Sequence, residues 1–220
     1  MPNPNQAAYK IFTLLCLLLL MTGCSKTYYS AMEKVGLHKR DILVDRVEKA
    51  RDAQEDAQEQ FKSALEQFAS VVELKETDLK KAYDKLNREY LDCQKSSKKV
   101  SQWIDKVEKV SEDLFDEWED ELELYQNKEL RRSSKKQLAE TKSRYQVMLA
   151  SMHTAEKSME PVLETFEDNV LFLKHNLNAQ AIGSLQAEFS GLEKDIDLLI
   201  EKMNAAIKES NDFIAQMENP

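Results

Sequence analysis

The chain has 220 residues, of which 42% are apolar and 32% charged, with only four glycines and four prolines. So few breakers among so many charges exclude a sheet-containing domain and point to long amphipathic helices. The net charge of -9 excludes a nucleic-acid binder, which needs surplus Lys and Arg to displace counterions from phosphate.

The first element is a leader. Residues 1 to 10 carry one charged side chain, Lys10, and an apolar run follows from Ile11 to Met21. That run is too short to cross a bilayer core, which takes roughly 20 residues. It has the length of a signal-peptide hydrophobic region. Met21, Thr22 and Gly23 then precede Cys24, and the segment resembles a bacterial lipoprotein signal with its lipobox, although Leu is commoner than Met at the position of Met21. The resemblance implies cleavage before Cys24 and acylation of its thiol. The alternative is an uncleaved hydrophobic anchor. Two or more acyl chains hold a protein stably at a membrane where one does not, and bacterial lipoproteins carry two or three. Ser25, rather than Asp, follows the cysteine. By resemblance to enterobacterial sorting this implies the periplasmic face of the outer membrane. Removing residues 1–23 takes away only Lys10, so the net charge moves to -10.

Residues 24–40 read as a lipid-proximal linker or helix. Tyr28 and Tyr29 are placed to sit at the membrane interface, where amphipathic rings are favoured, or to cover one end of a helical bundle. The bundle domain spans residues 41–218. Its first helix carries Leu43, Val47, Ala50, Gln54, Ala57, Phe61, Ala64, Phe68 and Val71 at strict 4-3 spacing, a heptad seam with one polar member. The spacing predicts a helix from Asp41 to about Leu74, longer if residues 26–40 join it. Asp45 and Lys49 form an i,i+4 pair of opposite sign, Asp52 and Asp56 one of like sign.

Thr77 or Asp78 is suited to cap a second helix. Its seam runs through Leu79, Tyr83, Leu86, Tyr90, Cys93, Ser97, Val100, Ile104, Val107, Ser111, Leu114, Trp118 and Tyr125, predicting a helix to about Gln126. Asn127 marks the next turn. A basic group follows at Lys128, Arg131, Arg132, Lys135 and Lys136, a candidate contact for the membrane or a partner, or a solvated face. The third seam takes Leu138, Tyr145, Met148, Met152, Ala155, Met159, Val162, Phe166, Val170, Leu173 and Leu177. Pro161 inside it predicts a kink. The alternative is a break with Ser158 capping a fresh helix. After a turn at residues 176–180, the fourth helix carries Ile182, Leu185, Phe189, Leu192, Ile196, Leu199, Met203, Ala206, Ser210, Phe213 and Met217. Gly183 and Gly191 are expected to allow close helix approach.

Short turns make sequential helices antiparallel neighbours, and four seams close into one core. The expected fold is therefore all-α: an elongated antiparallel bundle of about four long helices, preceded by the signal helix. The turns near 76 and 178 fall at one end. The tip near Asn127 falls at the other, where the chain enters from Cys24, so the basic group faces the membrane.

The sequence carries no recognisable catalytic apparatus. His38, His153 and His175 form no His-Glu-x-x-His motif. Ala150 and Phe172 stand three residues before His153 and His175, where a di-iron bundle would need Glu. Surface positions are expected for all three histidines, core positions for Trp103 and Trp118. With Cys16 removed and Cys24 acylated, Cys93 is the remaining thiol, and it reads as a small buried residue of the second seam. No metal, cofactor or catalytic residue is expected.

The opening Tyr-Tyr-Ser-Ala-Met-Glu-Lys-Val-Gly at Tyr28–Gly36 resembles that of an uncharacterised family of bacterial helical, coiled-coil-like lipoproteins of similar length. The resemblance covers nearly the whole chain, above all Ser25–Val72 and Met148–Met217. It implies no activity and supplies no site residues. The expected role is a non-enzymatic envelope lipoprotein: a lipid-tethered scaffold or partner-binding module. It would meet the membrane through acylated Cys24, bind a protein partner and have the option of self-association. The alternative is a periplasmic carrier of a lipid or other apolar ligand, whose bundle opens along Met148, Met152 and Met159.

Overall fold

A computed structural model describes residues 38–73, 79–176 and 179–218. The chain divides into two compact units, Met1–Ile42 and Leu43–Pro220. In the first, the described residues are the start of a helix. The His38 carbonyl accepts from the amides of Asp41 and Ile42 at 3.0 and 3.2 Å, and the His38 N–H donates to Asp41 Oδ2 at 3.3 Å. Leu74–Asp78, including the Thr77 and Asp78 caps, and Leu177 lie outside the described residues.

Four helices follow one another: α1 Lys39–Val72, α2 Leu79–Leu122, α3 Lys128–His175 and α4 Ala179–Glu218. In the second unit they pack as an antiparallel bundle. Gln60 and Lys85 join α1 to α2, donating to Glu89 and Gln67 at 2.9 Å each. Trp118 Nε1 reaches Ser134 across α2 and α3 at 2.8 Å. Arg144 donates to Gln216 across α3 and α4 at 2.6 Å. The circuit closes between α1 and α4, where Arg51 donates to Asn211 at 3.0 Å and Gln58 to Asn204 at 2.8 Å. Through the middle, Phe68 of α1 meets Phe166 of the diagonal α3, ring centroids 6.1 Å apart and edge to face.

The seams form the core. All nine α1 positions named above are at most 1% exposed. At about 1.5–3 kcal/mol for each large apolar side chain taken from water, this burial outweighs the weak preference of any single residue for helix. Surface ion pairs decorate the wet faces. Lys49 pairs with Asp45 at 2.7 Å. The like-charged Asp52 and Asp56 are each neutralised, by Arg51 at 2.6 Å and by Lys99 of α2 at 2.7 Å.

Several expectations are corrected. α2 ends at Leu122 rather than Gln126: the amides of Glu123 and Leu124 fold back onto the carbonyls of Asp120 and Glu121 in a turn. Tyr125 therefore leaves the seam and is 40% exposed, while Leu122 is buried in its place. Gly183 and Gly191 do not mediate close approach. A Cβ at either would meet nothing within 4 Å, because both lie on the solvent side of the α4 stripe. α3 runs through Pro161 unbroken. Ser158 is buried and donates to the Ala155 carbonyl at 2.7 Å, so it caps nothing. Trp103 and Trp118 are only half-buried, since each has a polar or cationic neighbour to serve.

The register leaves one part projecting. The end of α4 lies beside residues 144–145, where Gln216 accepts from Arg144 and Phe213 meets Tyr145 at 6.2 Å. The first fourteen or so residues of α3, before Lys142, thus run on past α4 against α2. At 1.5 Å per residue the overhang is roughly 20 Å.

Candidate functional site

The anchor residues Met21, Thr22, Gly23 and Cys24, together with Tyr28 and Tyr29, lie outside the described residues. The remaining sequence-derived candidates gather at the projecting tip. Asn127 sets its geometry. With extended backbone (φ -83°, ψ 114°), it caps α3 by accepting from the amides of Glu129 and Leu130 at 2.9 and 3.2 Å. Asn is suited to this because its short carbonyl reaches helix N–H groups that have no partner of their own.

The basic group divides into paired and free members. Arg131 binds Glu123 at the end of α2, and Lys136 lies 3.6 Å from Glu140. Lys128, Arg132 and Lys135 are exposed. Around them stand three large exposed apolar side chains, Leu124, Tyr125 and Leu130. Sequence periodicity hides these three: the 4-3 spacing places Tyr125 in the core, and nothing local distinguishes Leu124 or Leu130 from a buried leucine. The signal that does find them is arithmetic. A second and third helix longer than the first and fourth must overhang.

A second cluster crosses α2 and α3. His153 is not a simple surface histidine. Its Nε2 lies 2.9 Å from Glu108 Oε1 of α2, and its Nδ1 lies 2.9 Å from Glu156 Oε2 one turn along α3. Partial burial alone would lower its pKa. The hydrogen bonds and charges of Glu108 and Glu156 outweigh that and raise it above the ordinary imidazole value. Both nitrogens can donate at once only in the imidazolium. Next to it is an open groove of about 430 Å³ between the two helices, walled by Tyr90, Gln94 and Ser97 on one side and Glu156, Glu160 and Glu164 on the other. Burial, and then Glu167 as hydrogen-bond partner and charge, push the Tyr90 phenol up.

Trp103 carries a third cluster. Lys106 Nζ stands 3.7 Å from the ring centroid, and Lys49 and Arg46 of α1 stand at 5.6 and 5.8 Å. The indole face holds cations from two helices, and Asp45 pairs with both α1 cations.

The other candidates are structural. Cys93 is buried. Burial foremost, aided by the Glu89 charge, pushes its thiol up to about 12, and the Sγ donates weakly to the Gln60 carbonyl at 3.8 Å. A thiol held protonated in this way is a poor nucleophile. Met148, Met152 and Met159 are fully buried core residues. Among the described residues no group of three His, Cys, Asp or Glu side chains could hold a metal ion. None of the described helices is long and apolar enough to cross a membrane.

One polar core residue stands out. Gln54 is completely buried, and neither its Oε1 nor its Nε2 finds a hydrogen-bond partner. Single polar seam residues of this kind lower stability while fixing register.

No curated protein and no solved structure matches the chain. A family model does, over residues 28–217, from the Tyr-Tyr opening to the last core methionine of α4. The chain therefore belongs to the family described as "Protein of unknown function (DUF2959)".

Proposed function

We propose that the protein is a non-enzymatic lipoprotein of the bacterial cell envelope, a helical bundle tethered through acylated Cys24 that serves as a scaffold or partner-binding module. The observation that carries this reading is the Met21-Thr22-Gly23-Cys24 motif behind its short apolar run. The start of the family match at residue 28, just beyond that motif, fits a leader and an acylated stub in front of the working domain. The bundle supports a non-enzymatic role: its seams fill the core with side chains, and the grooves between its helices lie open to solvent. The periplasmic face of the outer membrane is the location that Ser25 favours.

The test is metabolic labelling with a palmitate analogue in a bacterial host, comparing wild type with Cys24→Ala. Wild type should incorporate the label, lose residues 1–23 and fractionate with membranes, and the variant should stay unprocessed and unlabelled. A labelled, processed Cys24→Ala protein would overturn the reading. Crosslinking of the wild-type protein in cells should then capture a discrete envelope partner. A co-purifying lipid held by the bundle, and no protein partner, would instead favour a carrier.

A further inference from the structure

We infer that the projecting α2–α3 tip is a second membrane contact, an apolar wedge that enters the headgroup region of a bilayer rich in zwitterionic phospholipid. This deepens the envelope-lipoprotein reading and rests on it. Leu124 is 74% exposed, Leu130 57% and Tyr125 40%, and all three fall within seven residues at the apex of the overhang. Water penalises such a patch, and exposed apolar groups rimmed by charge mark contact surfaces. Leucines beside a tyrosine suit the boundary between headgroups and acyl chains.

The charges decide which surface. With Arg131 held by Glu123, Lys136 near Glu140 and Glu119 held by Lys142, the tip side chains without an ion pair among the described residues are Lys128, Arg132 and Lys135 against Asp120, Glu121 and Glu129. Three cations matched by three anions do not make a polyanion site. They suit headgroups that themselves carry one phosphate and one ammonium. The chain path agrees. In the second unit α1 begins at Leu43 at the end of the bundle from which the tip projects: Arg51 of α1 reaches Asn211 of α4, and the end of α4 lies beside Tyr145, so the apolar apex projects beyond both helices' ends. The asparagine cap keeps the apex rigid, because the amides of α3's first turn are already satisfied by Asn127.

The test uses the full-length gene product, purified from bacterial membranes and reconstituted into phosphatidylethanolamine–phosphatidylcholine vesicles. A bimane fluorophore is placed at Leu124→Cys or, as a control, at Leu198→Cys. Leu198 is similarly exposed but lies about 30 Å back along α4 from Glu218. Buried Cys93 resists labelling. Bromine-bearing lipids should quench most of the fluorescence at 124 and leave 198 unaffected. Adding Leu130→Asp, a solvent-face change that spares the core, should abolish the quenching. Raised salt should leave it intact. Three outcomes overturn the proposal: position 124 no more quenched than 198, quenching that requires anionic lipid and disappears in salt, or shielding of 124 only when another envelope protein is added. The mass of the N-terminal peptide from the same preparation reports acylation of Cys24 separately. An acylated protein with an unquenched tip removes the wedge alone. A quenched tip on an unacylated protein removes the anchor reading and leaves the wedge standing.

Discussion

The two ends of the bundle are built on opposite principles. Towards the end where α1 stops and α4 starts, aromatic rings interlock: Phe68 stacks on Phe189 at 5.9 Å and meets Phe166 edge-on at 6.1 Å. At the hairpin end the chain spends its large apolar side chains on the surface, at Leu124, Tyr125 and Leu130, and uses hydrogen bonds and charges to hold two helices together. There Trp118–Ser134, Lys142–Glu119 and Arg131–Glu123 join buried Leu122 and Leu138 in holding α2 to α3. One end is closed by interlocked rings, and the other carries its large apolar side chains exposed.

The contrast is broken most severely at the aromatic end. Phe68→Ala removes a fully buried ring that touches two others, and the structure cannot collapse around a gap between three helices. A loss of about 3–5 kcal/mol is expected, read as a shift in the chemical-denaturation midpoint followed by circular dichroism. A loss below about 1 kcal/mol would mean that the aromatic cluster does not secure this end.

A change of opposite sign is expected midway along α1. Gln54→Met keeps the volume of the side chain and removes two buried groups without partners. Leaving such groups unsatisfied costs about 1–3 kcal/mol, so the variant should be more stable by an amount in that range. If it is less stable, Gln54 has a partner such as a buried water, and the polar layer is satisfied after all.

At the hairpin end the effects shrink. Asn127→Ala deletes the cap of α3, and about 1 kcal/mol is expected from it. The loss should be local. Amide hydrogen exchange should accelerate in the first turns of α3, while the amides around Phe166 keep their protection. Uniform acceleration would contradict the separation between the two ends.

Most of this architecture can be read from the residues. Every α1 position that the 4-3 spacing names is buried, because a filled seam leaves no freedom of phase, and Ile42, Ala53 and Val72 are buried beside it. The turn at Asn127 was legible because capping is local chemistry. What escaped depends on neighbours far apart in sequence. Glu108 stands 45 residues before His153, so an isolated His-Thr-Ala-Glu stretch looked unremarkable. Nothing near Trp103 in the sequence marks it as a platform for cations of two helices, because its α1 cations, Arg46 and Lys49, belong to another helix. Gly183 and Gly191 face solvent, and a glycine beside a seam differs from one facing solvent only in helical phase.

The smallest expected effect tests whether the middle of α2–α3 behaves like the charged end. His153 lies between Glu108 and Glu156, its ring held most firmly as the cation. Its pKa is raised on folding, so the native state binds the proton more tightly than the unfolded chain. The resulting stability is fully present below the unfolded value near 6.5 and is lost as pH rises through the higher folded value. The side chain is about a third exposed, so solvent screens the pair and the amplitude is modest. Comparing thermal midpoints of wild type and His153→Gln should show a difference that favours wild type in mild acid and narrows towards mildly alkaline pH. A difference that stays constant with pH would mean that the imidazole serves only as a neutral hydrogen-bond link. The α2–α3 pair would then depend on packing at this level, as the aromatic end does, rather than on charge.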